Sequence, residues 1–164
     1  MLVVSDTTPI ISLMKDNRLG ILKELFKEIV IPEAVYSELT SNPKFPEEAA
    51  MIKESDFIKT VTLNDRKLLD VFQRATGLDL GESEAIIYSD ESGADLLMMD
   101  EAKGRQVAKQ MNIRIIGTLG ILQLANEKGL MTGNDVRHCI DVLKENERHI
   151  SDKLIEKVME NIKD

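Results

Sequence analysis

The sequence predicts an α/β fold: a three-layer sandwich with a mainly parallel central sheet of about five strands, helices on both faces, and further helices at the C-terminus. Three observations lead there. Short, continuously apolar runs recur along the chain, longer stretches with apolar residues at helical spacing separate them, and helix-capping or helix-ending residues stand at the junctions.

The strand candidates are Leu2 to Val4, Ile29 to Ile31, Phe57 to Val61, Leu96 to Met99 and Ile113 to Ile116. Most are apolar at every position, as strands covered on both faces are, and alternation with helices implies parallel pairing. Helical patterns occupy 9–16, 19–28, 33–40, 46–55, 65–76, 82–92, 101–111 and 118–128, then 133–146 and 152–163. Pro32 suits a first helical turn, Asn64 or Asp65 can cap the next helix, and Gly77, Gly93 and Gly129 stand just past helix ends. The segment 41–48, SNPKFPEE, reads as the most mobile loop. Residues 1–130 form the expected α/β domain, with 131–164 as a helical extension packed on it.

The chain has 164 residues, enough for one domain with a real core. Its single cysteine, Cys139, excludes an internal disulfide framework and a cysteine zinc site, and points to a reducing, cytoplasmic setting. No apolar run approaches the ~20 residues that span a bilayer, and the N-terminal MLVVSDTTPIISL lacks the basic start of a secretion signal. A net charge of −8 argues against strong nonspecific nucleic-acid binding. A carboxylate metal site would concentrate that charge in the apo chain, however, and a bound cation would reverse its local sign.

Ligands of open α/β sheets bind beyond the carboxyl ends of the strands. Two acids follow apolar strand runs: Asp6 after LVVS and Asp100 after LLMM. Each can be a helix N-cap, a ligand, or both. Helix phase, at about 100° per residue, places Glu82 of GESEAIIYS on the apolar stripe with Ala85 and Ile86 and turns Glu84 outward as an ordinary surface acid. By the same geometry Glu38 lies about 60° from Val35 on the helix of PEAVYSELT. Strand-end aspartates and inward-facing glutamates together supply the oxygen ligands that Mg²⁺ or Mn²⁺ requires. There is no HExxH, cysteine cluster or P-loop to support a competing chemistry, and His138 and His149 lie in the charged C-terminal region as surface positions.

These residues resemble a family. VVSDTTPIISL is similar to the opening strand and aspartate of PIN domains, SEL places Glu38 where that family carries its second acid, and GESEAI…ADLLMMD sets Glu82 eighteen residues before Asp100. IRIIGTLGILQLANEKGLM further resembles a branch of prokaryotic PIN-like proteins related to toxin–antitoxin ribonucleases. The third acid is glutamate where many PIN nucleases carry aspartate, and Glu84 stands close by.

The resemblance implies a metal-dependent endoribonuclease in which Asp6, Glu38, Glu82 and Asp100 are both catalytic and metal-binding residues. It also implies an RNA substrate, a small antitoxin partner and a homodimer. Around the acids, Thr7 can hold a water or phosphate oxygen, or simply bond backbone in a turn. Lys103 and Arg105, in the first turns after Asp100, can flank the mouth or form a solvated helix face. Thr118, at another strand-to-helix turn, can bind phosphate or act only as a cap. The alternative is a catalytically weak or inactive PIN-like interaction module. An aspartyl-phosphate domain fits less well, because Thr8 stands where a phosphatase would carry a second aspartate.

Overall fold

Strand residues alternate between two apolar faces, and that alternation organises the molecule. In the computed structural model, which describes residues 1–146 and 149–164, five strands form one sheet: β1 (Val3–Ser5), β2 (Ile29–Pro32), β3 (Ile58–Val61), β4 (Leu96–Met98) and β5 (Ile115–Ile116). Their order is β3-β2-β1-β4-β5 and every pairing is parallel. Val3, Ile29, Ile31, Leu96 and Met98 point into one apolar cluster, while Val4, Leu97 and Met99 point into the other.

Helices cover both faces, giving the expected three layers. The first cluster takes Ile10, Leu13 and Met14 from α1 (Thr7–Lys15) and Ile21, Leu22 and Phe26 from α2 (Gly20–Phe26). Val35 and Leu39 of α3 (Glu33–Thr40) and Ile52 of α4 (Pro46–Glu54) join it. The second is closed by Ala85 and Ile86 of α6 (Leu80–Ser92) and Ala108 of α7 (Ala102–Gln110). A small third cluster joins Leu69 of α5 (Arg66–Thr76) to Ile87 of α6.

The first cluster continues through Ile121, Leu122 and Ala125 of α8 (Thr118–Glu127) into Val136, Cys139 and Ile140 of α9 (Gly133–Glu145). Ile155 and Met159 of α10 (Asp152–Glu160) pack against it. Buried Asn126 ties the tail down, donating to the Met131 and Lys163 carbonyls at 3.0 and 2.7 Å and accepting from the Lys163 N–H at 2.8 Å. A capping box of Thr132 and Asp135 starts α9. Burial pushes the Cys139 thiol up to about 12, so it behaves as a small apolar side chain.

The expected strands and helices all appear, with shifted ends. Helix α1 begins at Thr7 rather than 9, because Pro9 is tolerated inside a first turn. Helix α6 begins at Leu80 rather than 82, because Asp79 caps it by accepting the Glu82 N–H at 2.8 Å. Gly77 and Gly93 close α5 and α6 in the left-handed conformation. Among the described residues no helix is long and apolar enough to cross a membrane.

Candidate metal centre

The strand order places β1 at the centre, with β2 and β4 on opposite sides. The chain leaves β1 in one direction and returns to build the other, so a crevice opens at the carboxyl ends of β1 and β4. Asp6 follows β1, and its backbone N–H donates to the Met98 carbonyl at 3.0 Å, joining the two strand ends. Its residue is only 5 % exposed. Burial, with smaller contributions from Asp79, Glu38 and Asp100, pushes its carboxyl up to about 7, against the opposing pull of the Thr7 backbone. Although Asp6 occupies the N-cap position of α1, its side chain makes no capping hydrogen bond.

Glu38 reaches this crevice from the solvent side. The Thr7 hydroxyl donates to its carboxylate at 2.8 Å, and partial desolvation followed by Asp79 raises its proton affinity despite that bond. Its carboxylate lies against the first turn of α6, where a Cβ on Gly81 would stand 2.6 Å from Oε1. A glycine at that position lets an anion approach a helix N-terminus, where partial positive charge favours it.

Glu82 and Glu84 differ from their expected environments. Glu84 is not an outward surface acid: it is 1 % exposed, accepts the Ala34 N–H at 3.0 Å and pairs with Arg66 at 3.6 Å. Glu82 is the half-exposed one. The reversal arises because α6 packs against α3, α5, α7 and three strands, leaving little solvent face from which to define a stripe. Glu82 is nevertheless the acid coupled to the crevice. Desolvation, a hydrogen bond with Asp79 and the charges of Asp79, Asp6 and Glu101 push its carboxyl up to about 8.

Asp79 is the residue that sequence reasoning missed, since it raises Asp6, Glu38 and Glu82 alike. Its signal was present in DLGE, an N-cap followed three residues later by glutamate. Asp100 is half-buried and is held by Thr118, whose backbone N–H and hydroxyl donate to its two oxygens at 2.7 and 2.5 Å. Glu101, not Asp100, occupies the N-cap position of α7.

A family model described as PIN domain matches residues 2–164. The chain belongs to the PIN-domain family. A search of curated proteins finds no match to it. The family model extends through α9 and α10, and the parallel five-stranded sheet of this PIN domain is the nuclease-like fold of its family.

PIN domains generally use divalent metals, and the donor types here suit such an ion. All are hard carboxylate oxygens, and the nearly buried Asp6 carboxylate feels the charges of Asp79, Glu38 and Asp100. The spacing is looser than a ready-made cage: among the described residues no three of His, Cys, Asp or Glu stand close enough together to hold an ion directly.

The four other residues singled out in the sequence have definite places in this PIN domain. Thr7 is buried and orients Glu38, and Thr118 is buried with both donors committed to Asp100. Half-exposed Arg105 donates to the Met99 carbonyl at 2.9 Å. A Cβ on Gly117 would lie 2.8 Å from that guanidinium and 2.9 Å from Asp100 Oδ1, so both groups crowd one turn. Exposed Lys103 instead extends its ammonium to the α5–α6 turn at Gly77.

Proposed function

We propose that this PIN domain is an endoribonuclease that hydrolyses RNA phosphodiester bonds with Mg²⁺ or Mn²⁺ held by Asp6, Glu38, Glu82 and Asp100. The observation that carries the reading is Asp6: a nearly buried carboxylate at the switch point of the sheet, raised to about 7 by burial and, to a smaller extent, by the charges of Asp79, Glu38 and Asp100. A buried carboxylate is costly unless paired or bound to a cation.

In this reading Asp6 and Asp100 are the central ligands, supplied by adjacent strand ends. Glu38 and Glu82 complete the set or order waters from the α3 and α6 sides. A divalent cation bound there supplies Lewis-acid charge stabilisation and an activated water. Thr7 fixes the Glu38 carboxylate and Thr118 fixes Asp100, so both threonines position acids in this scheme. Arg105 adds positive charge beside Asp100 where a phosphate would enter. No side chain needs to act as a covalent nucleophile.

A toxin role neutralised by a small protein, a homodimer and a cytoplasmic location complete the proposal; an adjacent small antitoxin-like gene would support the first. The second reading is an interaction module without activity, favoured by the loose spacing of the acids and the net charge of −8. Purified protein decides between them: the nuclease reading expects Mn²⁺-dependent cleavage of single-stranded RNA that is lost in Asp6→Asn and in Asp100→Asn. Undiminished cleavage in both variants would overturn the assigned mechanism, and wild type inert toward RNA with Mn²⁺ would favour the module.

A further inference from the structure

Beside Asp100 the surface opens into a cleft of about 770 Å³ between the β5 edge, the start of α8 and the C-terminal helix α10. Its volume falls within the range of sites that hold a drug-sized ligand. The chain carries 29 acidic against 21 basic residues, yet this cleft reverses the balance. Asp100, at the end shared with the acidic crevice, is the one carboxylate among the described lining residues, while Arg105 and Lys157 are both cationic and His149 adds an imidazole. Leu154, 47 % exposed on α10, and Ile116 of β5 give the walls apolar surface.

We propose that this cleft is a subsite for single-stranded RNA flanking the bond to be cut, gripping the strand as it leaves the acidic crevice. The inference rests on the nuclease reading above. Arg105 and Lys157 both line the cleft and can each pair with a backbone phosphate, and each phosphate so paired releases counterions. The His149 ring and the Leu154 and Ile116 side chains offer faces against which unstacked bases can pack. With no Trp in the chain and no Phe or Tyr among the described lining residues, the grip is chiefly electrostatic and tolerant of sequence. Lys157 of α10 and Arg105 of α7 thereby supply positive charge beside the acidic crevice.

The test is anisotropy of a short fluorescent single-stranded RNA titrated with the full chain in Ca²⁺ over a series of KCl concentrations. Lys157→Ala should weaken binding and reduce the slope of log K against log salt by about 0.7, the value for one phosphate contact on a single strand. Leu154→Ala should weaken binding with the slope unchanged. Lys53→Ala, the same charge change on α4 by the opposite sheet edge, should do neither. Lys157→Ala with wild-type affinity and slope, or a wild type that binds no RNA, overturns the subsite. Cleavage is read separately with Mn²⁺. Wild type that cleaves while Lys157→Ala binds normally refutes the cleft alone, whereas wild type that binds through Lys157 but never cleaves refutes the nuclease reading alone.

Discussion

Replacing Asp6 by asparagine should stabilise the metal-free protein at pH 8 and do almost nothing near pH 4. The carboxyl is held at about 7 in the fold against 3.8 when unperturbed. At about 1.4 kcal/mol for each tenfold change in proton affinity, that difference is worth roughly 4 kcal/mol. The sign follows from proton binding. Between these two values the folded state keeps the Asp6 proton that the unfolded chain has lost, so stability falls as pH rises from about 4 to about 7 and levels off above. Asparagine retains the shape and an acceptor for the Thr7 backbone but cannot ionise, so it removes this loss. Urea unfolding in EDTA is the assay. At a slope of about 2 kcal/mol per M, the variant's midpoint should exceed wild type by up to about 2 M at pH 8. Added Mn²⁺ should narrow the gap and, at about one thousand times its Kd, close it, since an ion at that concentration stabilises the wild type by about 4.1 kcal/mol while the variant has lost a ligand. An Asp6→Asn variant equally destabilised at both pH values in EDTA would refute the reasoning.

Three further substitutions separate positioning from packing. Gly81→Ala should leave folding unchanged or slightly stabilised, since alanine favours a helix by about 0.5–1 kcal/mol, while displacing Glu38 and weakening Mn²⁺ binding in calorimetry; unchanged affinity would remove Glu38 from the site. Glu84→Ala should cost about 1–3 kcal/mol in urea unfolding by orphaning the Ala34 N–H, while Glu84→Gln, which keeps an acceptor, should cost less and leave metal binding intact. Loss of Mn²⁺ affinity in Glu84→Gln but not in Glu82→Gln would exchange the roles given to those two acids. Thr118→Val removes the hydroxyl from Asp100 but keeps the backbone N–H, and should lower Mn²⁺ affinity by about 10- to 100-fold, as loss of a ligand's supporting hydrogen bond typically does.

The sheet was legible in the sequence because its strands are apolar on both faces, and runs such as Leu96 to Met98 have few other uses in a chain of this length. The positions of Asp6 and Asp100 followed directly from those strand ends. Burial along α6 was not legible, for the same reason that the strands were. A helix covered on nearly every side has no polar face to oppose an apolar one, so phase could not reveal that Glu84 is buried and Glu82 half-exposed. Asp79 was hidden by its ordinary appearance as a cap, and its influence on three other acids exists only once α3, α6 and β1 are packed together. The commitment of Thr118 to Asp100 joins residues eighteen positions apart, across the β4–β5 crossover, and no local pattern encodes it. Nor does any local pattern bring Lys157 of α10 to the cleft that begins at Asp100.

The most direct measurement of the central claim is a crystal structure of the protein soaked in Mn²⁺, with the ion located by its anomalous scattering. The account predicts manganese in the crevice at the ends of β1 and β4, contacted by Asp6 and Asp100 directly or through water, with Glu82 turned toward it and Glu84 still on the Ala34 N–H. Crystals that bind manganese only elsewhere, or that hold it through Glu84, would contradict it.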